Sequence, residues 1–148
     1  MVLRLQHPQR IWGRGGDMTN GHRDITYATI THNSSRIRFG LHLRQWPGHD
    51  VVYSWGLTQG QRHRFAVVSW NAKRHRWSCF FTTPQLRIRG YAIPFCTERR
   101  KTVECSMCIA RLRINQAAGF SWNAGTAWEE SLADRTSWRR HGPIKQAP

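Results

Sequence analysis

Between residues 36 and 44 apolar and basic side chains alternate without a break. Ile37, Phe39, Leu41 and Leu43 fall on one side. Arg36, Arg38, His42 and Arg44 fall on the other, with Gly40 between them. A period of two is the mark of a half-buried β-strand. Upstream, residues 25–31 are rich in β-branched and aromatic residues, which suit a pleated surface. His32, Asn33, Ser34 and Ser35 supply turn chemistry between the two runs, so residues 25–44 read as a hairpin. Asn33-Ser34-Ser35 also matches a glycosylation sequon and is read here as a turn.

The pattern then repeats. Val51 to Trp55 alternates again, and residues 56–61 read as a loop. Residues 65–70 and 77–83 flank a strongly basic tip at 71–76, a second hairpin that Pro84 should end, since proline cannot donate to a ladder. Leu86, Arg87, Ile88 and Arg89 alternate. Gly90 shifts the phase as a bulge or kink would, and Pro94 is expected to stop the run. After a charged connection at 97–101, Val103, Cys105, Met107 and Ile109 share one face of a further strand. The apolar set then moves to Ala110, Leu112 and Ile114, leaving Arg111 and Arg113 opposite, which calls for a bulge or bend near Ile109. Several short strands with turn signals between them predict a mainly β (or α+β) domain, a small antiparallel sandwich or barrel.

The end of the chain carries other signals. Residues 117–125 are small and flexible in character. Thr126 and Glu129 have the spacing of a capping box, and Glu129, Glu130, Arg139 and Arg140 are placed as a helix dipole favours. With Gly142-Pro143 as a stop, local rules predict a C-terminal helix over 127–140, docked by Trp128, Leu132 and Trp138. The expected organisation is a flexible basic arm over 1–20, a strand-rich core over 21–116, and a linker with the packed helix over 117–148. Gly13-Arg14-Gly15-Gly16 lacks the Lys-Ser/Thr of a phosphate loop and reads as a hinge.

Charge changes the picture most. The 148 residues hold 23 Lys+Arg against 8 Asp+Glu, a formal net charge of +15 with His neutral. Only Lys73, Lys101 and Lys145 are lysines, so arginine dominates. Such a field attracts polyanions, and the planar guanidinium both pairs with phosphate and stacks on bases. Arg-x-Arg steps recur at 36/38, 62/64, 74/76, 87/89 and 111/113; with Arg44 from the first alternating run, Arg36, Arg38, Arg44, Arg74, Arg76, Arg87, Arg89, Arg111 and Arg113 are put forward as phosphate contacts. Trp46, Tyr53, Trp55, Trp70 and Trp77 lie near some of them in sequence, as stacking partners for unpaired bases or simply as core. The expected function is binding of RNA or single-stranded DNA through an Arg-rich sheet face. The alternatives are a structural or accessory part of a ribonucleoprotein assembly, or a GC-rich reading frame on which no function has been selected.

Cys79, Cys96, Cys105 and Cys108 include one C-x-x-C pair. Four thiolates suit tetrahedral zinc, but zinc sites usually show two close pairs, and on one strand Cys105 and Cys108 point to opposite faces. Buried thiols are the simpler expectation, with no cofactor. The N-terminus has no apolar signal core and no apolar run is long enough to span a membrane, so an intracellular, reducing compartment without disulfides is expected. Arg4, Arg10 and Arg14, with no acid before Asp17, also fit a mitochondrial targeting segment, although Pro8 interrupts a helix there. His49-Asp50 and His22-Arg23-Asp24 are the nearest approach to a base with an orienting carboxylate. No nucleophile elbow accompanies them, so no enzyme is expected.

Overall fold

The computed structural model describes residues 9–12, 25–82, 88–128, 131–135 and 139–142. Eleven strands follow in chain order: β1 (Gln9–Trp12), β2 (Ile25–His32), β3 (Arg36–Leu43), β4 (Val51–Gln59), β5 (Arg62–Asn71), β6 (Arg76–Thr82), β7 (Ile88–Thr97), β8 (Thr102–Cys108), β9 (Phe120–Trp128), β10 (Ser131–Arg135) and β11 (Arg139–His141). A 3-10 turn, Ile109–Leu112, follows β8. All neighbours are antiparallel, in the order β1-β2-β3-β8-β7-β6-β5-β4-β9-β10, with β11 also on β9. The mainly β class expected from the alternation is present.

The sheet folds into two layers at β7. Residues Cys79 to Thr82 of β6 pair with the first half of β7, through Ala92. Ile93 to Thr97 pair with β8 instead. One layer is therefore β1, β2, β3, β8 and the end of β7, called the first sheet below. The second sheet holds the start of β7, then β6, β5, β4, β9, β10 and β11. Pro94 does not stop β7 but sits opposite Cys105, at the level where β6 no longer pairs. There the missing N–H leaves no ladder bond unmade. The bulge expected at Gly90 lies beside it, between the Phe81–Gly90 and Thr82–Ile88 pairs.

Side chains that alternate inward from both layers build one core. Ile37, Phe39, Leu41 and Leu43 of β3 meet Tyr53, Trp55 and Leu57 of β4 and Phe120 and Trp122 of β9, all 2% exposed or less. Phe39 and Trp55 lie 5.7 Å apart between ring centres. The Trp55 indole Nε1 donates to the Gly40 carbonyl across the layers, at 3.1 Å. Opposite β7 the sandwich is closed by side chains. Trp122 Nε1 donates to Gln9 Oε1, Gln9 Nε2 donates to the Arg140 carbonyl at 2.9 Å, and Arg139 donates to the Arg10 carbonyl.

Three further expectations are corrected. The C-terminal helix is not found among the described residues: those of 127–140 that are described lie in β9, β10 and β11. Capping signals act within one turn and are each worth about 1 kcal/mol. The alternation of Phe120, Trp122 and Ala124 instead buries a strand between β4 and β10, and that burial outweighs the local signals. Residues 56–59, expected as loop, extend β4 because Leu57 reaches the core and Thr58 pairs with His63. The cysteines are not all thiols: Cys79 of β6 and Cys105 of β8 form a disulfide that joins the two sheets. The expectation of a chain without disulfides is overturned by this bond. Among the described residues no helix is long and apolar enough to cross a membrane. Of the expected arm, β1 pairs with β2; residues 1–8 and 13–20 lie outside the described residues.

Candidate functional site

The outer face of the first sheet is built by the strand pairing itself. Residues directly opposite share a face, so Arg10, Thr29, Gly40, Glu104 and Phe95 form one transverse row across β1, β2, β3, β8 and β7. Thr31, Arg38 and Ser106 form the next row. Tyr27, His42 and Thr102 form the row on the other side. Arg36 and Arg38 are exposed, and Phe95, 68% exposed, is the one large apolar side chain left in solvent among the described residues.

Three groups stack at the β1 side. The Arg10 guanidinium lies 4.3 Å above the Tyr27 ring, a cation–π contact. Tyr27 in turn stacks on His42, with centres 4.9 Å apart and planes 5° from parallel. Burial pushes the His42 imidazole below its ordinary pKa, and the Lys101 and Arg10 charges push the same way. Its Nδ1 is buried with no hydrogen-bond partner among the described residues. Farther along, Arg38 Nε approaches Glu104 Oε2 at 3.9 Å. Arg36 donates to Ser106 Oγ at 3.3 Å and to Cys108 Sγ at 3.5 Å.

A hollow of about 250 Å³ opens between these groups, lined by Arg10, Tyr27, Thr29, Thr31, Arg38, Gly40, Leu41, Thr102 and Glu104. Gly40 is its floor. A Cβ there would come within 2.5 Å of Thr29 Oγ1. A glycine inside a strand often marks a place where another group approaches the backbone closely.

The chain matches no protein-family model and no curated protein sequence.

The nine arginines put forward from sequence do not share one face. Arg36 and Arg38 project from the outer face of β3. Arg44 follows the end of that strand, where its carbonyl accepts from Lys101 Nζ at 3.1 Å. Arg74 and Arg76 belong to the β5–β6 hairpin tip at this same end of the sandwich, where Trp46, Trp70 and Trp77 pack together. Arg111 and Arg113 are exposed in and after the 3-10 turn, at the opposite end. Arg62 and Arg64 hold that turn by donating to the Arg113 and Leu112 carbonyls at 2.7 and 3.1 Å. Arg89 lies in β7, and Arg87 lies outside the described residues.

The cysteines are not brought together as a four-thiolate set. Cys79 and Cys105 are bonded to each other, Cys96 is half-buried, and Cys108 is exposed on the outer face beside Arg36. Burial pushes the Cys96 thiol up to about 12, so it stays protonated and unreactive near neutral pH. Among the described residues no group of three or more His, Cys, Asp and Glu is placed to hold a metal.

Sequence reasoning passed over Arg10, Tyr27, Glu104 and Phe95. The alternation of Thr102, Glu104 and Ser106 against Val103, Cys105 and Met107 did mark Glu104 as outward-facing. No sequence signal joins these four residues, because their meeting depends on β8 lying between β3 and β7.

Proposed function

We propose that the protein binds single-stranded nucleic acid, RNA or DNA, across the outer face of its first sheet. The observation that carries this reading is the combination on one face of exposed guanidiniums, Arg36 and Arg38, with an exposed aromatic ring, Phe95. Phosphates take the arginines, and an unpaired base takes the ring. Stacking of this kind tolerates any base. Strands spaced about 4.8 Å apart put Phe95, two strands from β3, roughly 10 Å from that row of arginines. The basic ends of the sandwich, with Arg44, Arg74 and Arg76 at one and Arg111 and Arg113 at the other, add long-range attraction to the same polyanion.

Fluorescence anisotropy with a labelled single-stranded RNA tests the reading. Affinity should fall steeply as salt rises, because each neutralised phosphate releases counterion. Phe95→Ser should weaken single-stranded binding by about 1–3 kcal/mol and leave duplex binding nearly unchanged. Affinity that stays flat from low to moderate salt would sink the proposal.

A further inference from the structure

The hollow over Gly40 has a composition that a plain phosphate-binding surface does not need. Two guanidiniums, Arg10 and Arg38, face one carboxylate, Glu104. A carboxylate repels phosphate and accepts hydrogen bonds only. Its ion pair with Arg38 is long, at 3.9 Å, with the two side chains 46% and 31% exposed, and surface pairs of this kind are easily opened. Thr31 lines the hollow, and its Oγ1 is buried with no hydrogen-bond partner among the described residues. Buried polar groups are normally satisfied, so an orphan hydroxyl on a residue that lines a cavity points to a missing partner. The floor is a glycine backbone, which lets a flat ring approach closely.

The formal charges fit one unit of a nucleic-acid strand. Two cations and one anion leave a single positive charge, and a phosphodiester carries a single negative one. The carboxylate must then meet a donor, and the donors on a nucleotide that suit it are the amino groups of bases. Carboxylates accept from the cytosine amino group in known readout geometry. Uracil carries a carbonyl at the equivalent position, which would face Glu104 lone pair to lone pair.

We propose that the hollow over Gly40 seats one unpaired nucleotide with an amino-bearing base, Glu104 accepting from that amino group while Arg10 and Arg38 hold the adjoining phosphodiester. This rests on the single-stranded nucleic-acid reading and gives it a base preference. Thr31, Thr29 and Thr102 supply hydroxyls that turn to suit the ring edge. Phe95, next to Glu104 in the same row, takes the neighbouring base.

Short oligocytidylate and oligouridylate, differing at the group that meets Glu104, provide the test by anisotropy on the full chain. Oligocytidylate should bind about tenfold tighter, the value of one hydrogen bond to a charged group. Glu104→Gln should erase that preference, because the amide also donates to a uracil carbonyl. Gly40→Ala combined with Thr29→Ala raises the floor without the 2.5 Å collision, and it should erase the preference too. Both variants should keep the salt dependence, and circular dichroism of each should match the parent chain. Equal affinity for the two homopolymers, with salt dependence intact, overturns the hollow and leaves the polyanion surface standing. A preference that survives both substitutions overturns it as well. Loss of salt-dependent affinity for either strand would overturn the underlying surface instead.

Discussion

The two sheets follow one rule inside and differ outside in where charge is placed. On their inner faces β3 and β4 are interchangeable in kind: Ile37, Phe39, Leu41 and Leu43 against Val51, Tyr53, Trp55 and Leu57, all buried. On the outer face, β3 carries Arg36, Arg38 and His42, with Glu104 and Tyr27 on the strands beside it. The matching positions of β4, β5 and β6 are Val52, Ser54, Val67, Ser69, Ser78 and Phe80, without a formal charge among them. Burial dictates every second residue of a strand and leaves the others to solvent, so the outer positions are where a sheet is free to acquire a task. The second outer face carries arginine at its margins, Arg76 at the end of β6 opposite Asn71 and Arg140 on β11 opposite Ser121, whereas Arg36 and Arg38 stand on β3, inside the first sheet.

Charge reversal breaks that comparison most sharply. Arg36→Glu with Arg38→Glu should reduce affinity for single-stranded RNA by at least a hundredfold, since a hydrogen bond to a charged group is worth about 1.5–3 kcal/mol and two are lost. Ser54→Glu with Ser69→Glu adds the same number of acids to the second sheet and should change affinity little. Equal losses from both pairs, measured at one salt concentration, would mean that net charge and not the first sheet holds the strand.

Both sheets depend on the bond that joins them. Cys79 and Cys105 are 26 residues apart in sequence, and closing a loop of that length is worth about 3–4 kcal/mol by chain entropy. Replacing both by Ala should lower unfolding free energy by that amount in urea titrations. It should leave RNA affinity per folded molecule unchanged, because neither sulfur reaches an outer face. Reducing agent should reproduce the shift in the parent chain and have no effect on the double variant. A parent chain indifferent to reductant would show that the bond is not made.

Much of the architecture was legible because it is local. Asn33 Oδ1 accepts from the Ser35 and Arg36 amides at 2.9 and 2.8 Å, the turn chemistry that its sequence announced. The hairpin with the basic tip and the bend at Ile109 follow the pattern as well. What failed was local too. Thr126, Glu129 and Gly142 gave sound helix signals, but a strand beside β4 buries Phe120 and Trp122, and no neighbourhood rule reports that gain. The candidate site was half legible. Arg36 and Arg38 lie on the face that the alternation gave them. Arg10, Glu104 and Phe95 join them only through the order β1-β2-β3-β8-β7, which nothing in the sequence between them encodes.

The Trp55 indole is the direct link from the second sheet to the floor of the hollow. Trp55→Phe keeps the ring in the core and removes the donor to the Gly40 carbonyl. The expected cost is about 1–2 kcal/mol of stability, one lost hydrogen bond with a buried acceptor left behind. Oligocytidylate should lose part of its advantage over oligouridylate as the floor loosens, while the salt dependence set by Arg36 and Arg38 stays. A loss of stability with the base preference fully kept would show that the floor is held by β2 and β8 alone.

The smallest effect should come from acid, and it belongs to the first sheet alone. His42 stacks on Tyr27, and burial, with the positive charges of Lys101 and Arg10, lowers its pKa below the usual 6.5. The folded chain therefore takes up this proton at lower pH than the unfolded chain does. Its contribution to stability is complete above the ordinary histidine range. It declines as pH falls from about 6.5 toward the lower folded value. Urea midpoints measured across that interval should fall with pH, and His42→Gln should flatten the part of the fall that this side chain causes. The His42 resonance should titrate below 6.5 in NMR. A resonance titrating above 6.5 would reverse the sign, because the stack would then favour the imidazolium and acid would tighten the face that carries Arg36 and Arg38.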